Sequence, residues 1–151
     1  MTMNSKPKEE FIVFRIGQQE FCLEITSTRE IRGWTPSTVL PNSPDYLLGV
    51  INLRGTILPI VDLSCRLGLP SNEPSERHVI IVVQLNEKSF GLLVDSVSDI
   101  LEVDEESLRP VPEFETDVSA DFFSRVIVLD NRIICEVKLA QLVPSDEMLA
   151  A

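Results

Sequence analysis

The residues best equipped for chemistry in this chain are carboxylates. Asp95 and Asp99 lie close together, and Asp104-Glu105-Glu106 form a run, so each set has the composition of an acid/base pair. Context argues against both. Asp104 to Glu106 precede Ser107-Leu108, where acids suit the positive end of a helical turn. Asp95 and Asp99 align, within an internal repeat, with Thr26 and Glu30, which points to a shared structural role for Glu30 and Asp99. The chain has no glycine-rich phosphate loop, no nucleophile elbow and no metal-ligand spacing. His78 is the single histidine, which excludes a His-rich metal site or a Ser-His-Asp triad built elsewhere. Catalytic, cofactor-binding and metal-binding residues are therefore expected to be absent, and no cofactor is implied.

A cation has the stronger claim to function. Val50 to Leu53 and Thr56 to Val61 are aliphatic or β-branched runs on either side of Arg54-Gly55. The pattern reads as a tight hairpin with one positive charge at its tip. A two-residue primed turn favours Asn, Asp or Gly, because both central residues take positive φ. Arg54 is a poor choice on that ground. The alternative is a longer loop, with Gly55 in the left-handed position and Arg54 simply solvated.

The elements that hold this hairpin occur twice. Residues 12–31 align without a gap on residues 81–100, so that Ile12 meets Ile81, Phe21 meets Phe90, Leu23 meets Leu92 and Ile31 meets Ile100. The hairpin from Val50 to Leu63 overlies Val126 to Leu139, and about seven extra residues separate the two blocks in the second copy. That period is too long for a solenoid. Two similar β-rich units are expected, each with about five short strands forming a small barrel. Asp130-Asn131 replaces Arg54-Gly55 in the second copy and suits a primed turn, which leaves the unusual tip in the first.

A chain of 151 residues buries about 70% of its unfolded surface, enough for one self-sufficient unit, whereas each half alone is marginal. The reading is therefore a single unit over 10–145, with flexible tails at 1–9 and 146–151. The first barrel spans roughly 20–78 and the second roughly 79–143, with the N-terminal strand at their junction. Residues 70–77 read as the linker, 111–119 as the longest irregular stretch, and Lys138 to Val143 as a short amphipathic helix.

Net charge is −11, with 24 acids against 13 bases, and the aromatic residues include one Trp and one Tyr. Single-strand nucleic-acid binding needs a basic groove and stacking aromatics, so that class is disfavoured. The N-terminus lacks an apolar signal core and no apolar run approaches a membrane span, which points to the cytoplasm. Cys22, Cys65 and Cys135 have no CxxC spacing and fit free thiols in a reducing compartment.

Four segments together resemble the CheW family of bacterial chemotaxis adaptors. They are Arg29-Glu-Ile-Arg-Gly-Trp34, Gly49-Val-Ile-Asn-Leu-Arg-Gly55 with Pro59-Ile-Val-Asp-Leu63, Gly91 to Ile100, and Arg109-Pro-Val-Pro-Glu-Phe114. The resemblance runs from about Phe11 to Val143. It implies a mainly β fold, two five-stranded SH3-like barrels around a shared hydrophobic core with short helices. It also implies a non-catalytic role, bridging the cytoplasmic tip of methyl-accepting chemoreceptors and the regulatory domain of a CheA-type histidine kinase. Contact with the membrane would be indirect, through receptor arrays.

Carried over residue by residue, the resemblance makes Glu30 and Arg54 an ion pair shaping a receptor-facing groove. Ile25, Thr28, Ile31, Gly49 and Val79 would line or border it, and Gly49 would allow a partner helix backbone to approach closely. Arg109, Glu113 and Phe114 match a kinase-domain contact. For Ile25 and Ile31 the alternative is a place in the core, and for Arg109-Pro110 a rigid turn. Thr28 stands where the family commonly has valine, and Ser124-Arg125 and Cys135-Glu136 depart from its last hairpin. A related adaptor role in another receptor-kinase pathway, such as surface motility, fits the same residues. A nucleic-acid-binding small barrel is the rival from a different class.

Overall fold

Alternation explains the strands. In β1 (Glu9–Ile16) and β2 (Gln19–Glu24) successive side chains go to opposite faces, and both faces are buried along most of the length. The repeated hairpin, β6 (Val79–Leu85) and β7 (Lys88–Val94), has the same character. Strands buried on both sides read as near-continuous apolar runs, which is the composition of both hairpins. Their turns also match: Gly17 and Asn86, equivalent in the repeat, both take positive φ, at 60° and 57°.

The computed structural model describes residues 8–70, 73–111 and 120–144. Between the hairpins lie β3 (Thr28–Gly33), β4 (Leu47–Leu53), β5 (Thr56–Asp62) and the short helix α1 (Leu63–Arg66). After them come β8 (Ser96–Val103), the two-residue β9 (Leu108–Arg109), β10 (Phe123–Leu129) and β11 (Arg132–Val137). The strands form two sheets, ordered β3-β6-β7-β5-β4 and β8-β1-β2-β11-β10-β9, each a small SH3-like barrel.

The expected barrel boundaries are corrected by this order. Each barrel takes its hairpin from the other copy of the repeat. The first is closed by β6 and β7, which pair with β3 and, in parallel, with β5; the second by β1 and β2, which pair with β8 and, in parallel, with β11. The connections explain the exchange. A hairpin loop needs two residues or more, and only Asp95 separates β7 from β8, so the chain turns a corner into the other sheet. The 3-10 turn Ile25–Ser27 makes the equivalent corner between β2 and β3.

Exchange creates the shared core. Ile80 and Val82 enter the first barrel with Ile51, Leu58 and Ile60, while Ile81 and Val83 face the other way. There they meet Phe14, Phe21, Leu23, Phe90 and Phe123 in a cluster drawn from both sheets. Phe11, Val13, Cys22, Ile127 and Ile134 fill the second barrel. Each fully buried large side chain contributes about 1.5–3 kcal/mol, so the central cluster binds the two barrels into one unit.

Three smaller expectations also change. Glu9 is not in a frayed tail, because β1 begins there and its carboxylate pairs with Arg125. The predicted helix over Lys138 to Val143 is a 3-10 turn, Leu139–Gln141, too short for a full α-helical turn. The tight hairpin at Arg54-Gly55 is present, with Arg54 (φ 51°) and Gly55 (φ 84°) in its two-residue turn, but the primed turn expected at the second tip is not, because neither Asp130 nor Asn131 has positive φ. Residues 1–7, 112–119 and 145–151 lie outside the described residues, and with them most of both tails and the irregular stretch.

Candidate docking face

Arg54 is held in a two-residue turn between the paired residues Leu53 and Thr56. The side-chain oxygen of Asn52 accepts a hydrogen bond from Gly55 N at 2.9 Å, which fixes the turn from below. A left-handed conformation costs a non-glycine residue about 1–2 kcal/mol. The longer loop considered from the sequence is absent, and Arg54 is more than a solvated turn residue. Its guanidinium Nη2 donates to Glu30 Oε1. Arg54 remains 72% exposed while Glu30 is 29% exposed.

Glu30 projects from β3, one edge of the five-stranded sheet, whereas Arg54 tips the hairpin that forms the opposite edge. The pair thus ties the two ends of the curled sheet together. Arg32, two residues along the same face of β3, places Nη1 3.6 Å from Glu30 Oε2. Exposed ion pairs are worth at most about 1 kcal/mol, which does not offset the strain at Arg54 with any margin. The arrangement displays a cation more than it stabilises a fold.

Around this pair the expected residues separate. Thr28, Glu30 and Ile31 share β3, and Val79 adjoins through the Gly33–Val79 pairing at the start of β6. Ile31 is 43% exposed, so it is surface and not core. Ile25, in the 3-10 turn before β3, is half-buried and borders a cavity with Glu9, Glu24 and Thr26 of the second barrel's end. Gly49 has another explanation. A Cβ there would lie 2.2 Å from the Thr38 carbonyl oxygen, and its φ is 146°, so the space is taken by this chain's own Ser37-Thr38 segment. The close approach expected of a partner helix is already made internally.

Two neighbours were not anticipated. Arg32 joins the Glu30 cluster, a relation that the period-2 spacing on β3 signals. Ile57 pairs with Asn52 just below the tip and is 62% exposed, the outward member of the β5 alternation. Arg109 lies on β9, pairs with Val126, and donates from Nε to the Glu106 carbonyl at 3.2 Å. With Pro110, Leu108, Glu105 and Arg125 it rims a cavity of about 610 Å³. Glu113 and Phe114 lie outside the described residues.

The carboxylates weighed for catalysis have structural partners. Asp95 accepts from Gly17 N at 2.7 Å and lies 3.5 Å from His78 Nε2. His78 Nδ1 accepts from the Ser75 backbone amide at 3.1 Å, with the Ser75 hydroxyl further off at 3.5 Å, so the ring fastens a turn. Asp99 shares Arg132 with Glu20, at 3.4 Å and 2.6 Å. Glu105 to Ser107 form the expected turn, here 3-10.

A second cluster surrounds Arg125, which meets Glu9 at 2.8 Å, Glu24 at 3.1 Å and the buried Glu136 at 2.8 Å. Hydrogen bonding to Arg125 holds the Glu9 carboxyl below its ordinary value, while burial pushes Glu136 up. Burial likewise raises the thiols of Cys22, Cys65 and Cys135, all free, which makes them poor nucleophiles. Among the described residues, no group of His, Cys, Asp and Glu is arranged to hold a metal ion, and no helix is long and apolar enough to cross a membrane.

Residues 10–147 match the family model described as the CheW-like domain. The chain is 54% identical over 142 residues to the probable chemotaxis protein CheW of Rhizobium etli, covering 94% of this chain and 92% of that one. It is 52% identical to the chemotaxis protein CheW of Rhizobium meliloti, with the same coverage of each. Among solved structures it resembles the scaffolding protein TtCheW from Thermoanaerobacter tengcongensis, with a TM-score of 0.82 and 30% identity over 87% of this chain and 90% of that one.

Proposed function

Because the chain belongs to the CheW-like family, we propose that it is a chemotaxis adaptor coupling receptors to the kinase CheA, and that the Glu30–Arg54 face is its receptor side. The carrying observation is the Glu30–Arg54 pair itself, a strained and exposed cation anchored across the two edges of one barrel. On the other face of the same edge strand Ile31 offers apolar surface, which suits the stripe of a receptor helix laid along β3. Thr28 and Val79 extend that surface along the same strand pair, Ile25 borders it from the adjoining corner, and Gly49 supports it from beneath by admitting Thr38.

The kinase side belongs to the second barrel. Arg109, exposed on β9, marks it, and Glu113 and Phe114 follow in sequence. The partner there is the regulatory domain of the kinase, and the adaptor sits in the cytoplasm at membrane-bound receptor arrays. The role is mechanical: two surfaces on one rigid core hold two partners at a fixed distance, with no reaction and no cofactor.

The test is reconstitution. Receptor-bearing membranes and purified kinase are sedimented with and without this protein. Kinase that enters the pellet only when the protein is present supports the adaptor reading; kinase distribution that ignores the protein contradicts it.

A further inference from the structure

The repeat that lays Val50 to Leu63 over Val126 to Leu139, continued in both directions, places Tyr46 opposite Phe122 and Arg66 opposite Leu142. Backbone hydrogen bonds keep that correspondence: Asp62 N donates to the Tyr46 carbonyl and Lys138 N to the Phe122 carbonyl, each at 2.7 Å. One aromatic side chain thus stands just before β4 in the first barrel and its counterpart just before β10 in the second. Both are half-buried and pack against the central cluster.

Arg66, the last residue of α1, joins the two. Its guanidinium carbon lies over the Tyr46 ring, 4.5 Å from the centroid, and over the Phe122 ring, at 4.7 Å. Nη2 also donates to the Gln141 carbonyl at 3.2 Å, in the 3-10 turn that corresponds to α1 in the second copy. A side chain of the first barrel therefore holds the second barrel through a ring and a carbonyl. The second copy has no such cation, because its equivalent residue is the buried Leu142. Apolar burial is non-directional, whereas a planar guanidinium set over ring faces and hydrogen-bonded at its edge has a fixed geometry. These three partners belong neither to the Glu30–Arg54 pair nor to the cavity beside Arg109.

We propose that Arg66 is a positioning residue of the adaptor, fixing the angle between the two barrels and with it the angle between the receptor side and the kinase side. This rests on the assignment of those two sides to different barrels. The central cluster supplies cohesion, and Arg66 supplies orientation. Without Arg66 each partner still binds its own barrel, but a change at the receptor no longer reaches the kinase in register.

The experiment compares wild type with Arg66→Leu, Arg66→Lys and Phe122→Leu. Arg66→Leu inserts the residue type that the repeat itself carries at Leu142, and Phe122→Leu removes the contact from the other barrel. Residual dipolar couplings, measured by NMR on the free proteins, report the relative orientation of the barrels. Kinase activity with and without receptor-bearing membranes reports coupling. Wild-type couplings are expected to fit one alignment tensor, and those of Arg66→Leu and Phe122→Leu to need two tensors rotated against each other. Binding to receptor membranes alone and to kinase alone stays within about twofold of wild type, while the receptor-dependent change in kinase activity falls at least about fivefold. Arg66→Lys keeps the cation without the planar fork and recovers part of both readouts. A common tensor in every variant overturns the inference, and so does full coupling in a variant that needs two tensors. Weakened binding of one partner alone would put Arg66 in a docking face and overturns it as well. Wild type that leaves kinase activity indifferent to receptor contradicts the adaptor reading instead, and the tensors still decide the orientation claim.

Discussion

Glu30 and Arg54 meet from opposite edges of one five-stranded sheet, and the equivalent contact in the second barrel is built differently. There Asp99, the counterpart of Glu30, pairs with Arg132, which aligns with Thr56 and not with Arg54. Arg132 is 34% exposed and shared between Glu20 and Asp99. Arg54 is 72% exposed and meets one carboxylate. Asp99 on the edge strand β8 thus reaches Arg132 on the interior strand β11, and of the two paired arginines Arg54 is the more exposed.

Replacing Arg54 should separate stability from function. Arg54→Asn gives the Asn-Gly pair that a primed turn prefers and relieves the left-handed strain. The lost ion pair is worth at most about 1 kcal/mol. Chemical denaturation is expected to show a protein as stable as wild type or up to about 1 kcal/mol more stable, with receptor binding reduced.

Gly49→Ala should act on the fold before it acts on any partner. The added methyl would meet the Thr38 carbonyl at 2.2 Å, a backbone atom that cannot swing aside. Together with the positive φ, the overpacking is expected to cost about 2–3 kcal/mol. A lowered denaturation midpoint checks this. Normal stability with lost binding would restore the external role expected of Gly49 from the sequence.

Arg125 should be needed by the second barrel. Removing it in Arg125→Ala leaves Glu136 buried without its cation, while Glu9 and Glu24 lose their common partner. Breaking a buried pair from one side costs about 3–5 kcal/mol, and the lower end applies because Arg125 keeps about a third of its side chain in water. Urea unfolding of Arg125→Ala and Arg125→Lys measures it.

Acid should loosen the protein through its arginine-bound glutamates. Hydrogen bonds from Arg125 and Arg132 depress Glu9 and Glu20 below the ordinary value of 4.5, against the opposing effect of burial. The unfolded chain then binds more protons in that range, so their contribution is present above pH 4.5 and is lost as pH falls through the folded values. Glu136 runs the other way, since a raised value favours the fold at low pH and fades as pH rises. Urea midpoints measured downward from pH 6 should fall, and Glu20→Gln should flatten the fall.

Much of this was legible in the chain. The repeat exposed the duplication because equivalent residues such as Phe21 and Phe90 occupy equivalent buried positions in the shared core. Arg54 stood out because its residue type conflicts with its turn. The exchange of hairpins was not legible, since strands buried on both faces carry no signal of which sheet they join. Gly49 misled for a related reason: a glycine announces a close approach but not whether the approaching chain is its own. The unpaired Thr28 Oγ1 is a consequence of packing, which residue type and spacing do not signal.

The most direct test of the central claim compares wild type with Arg54→Glu in co-sedimentation with receptor-bearing membranes and kinase, after circular dichroism confirms that both are folded. Wild type is expected to carry kinase into the pellet and Arg54→Glu to leave most of it in solution. Equal recruitment by the two proteins would contradict the Glu30–Arg54 face as the receptor side.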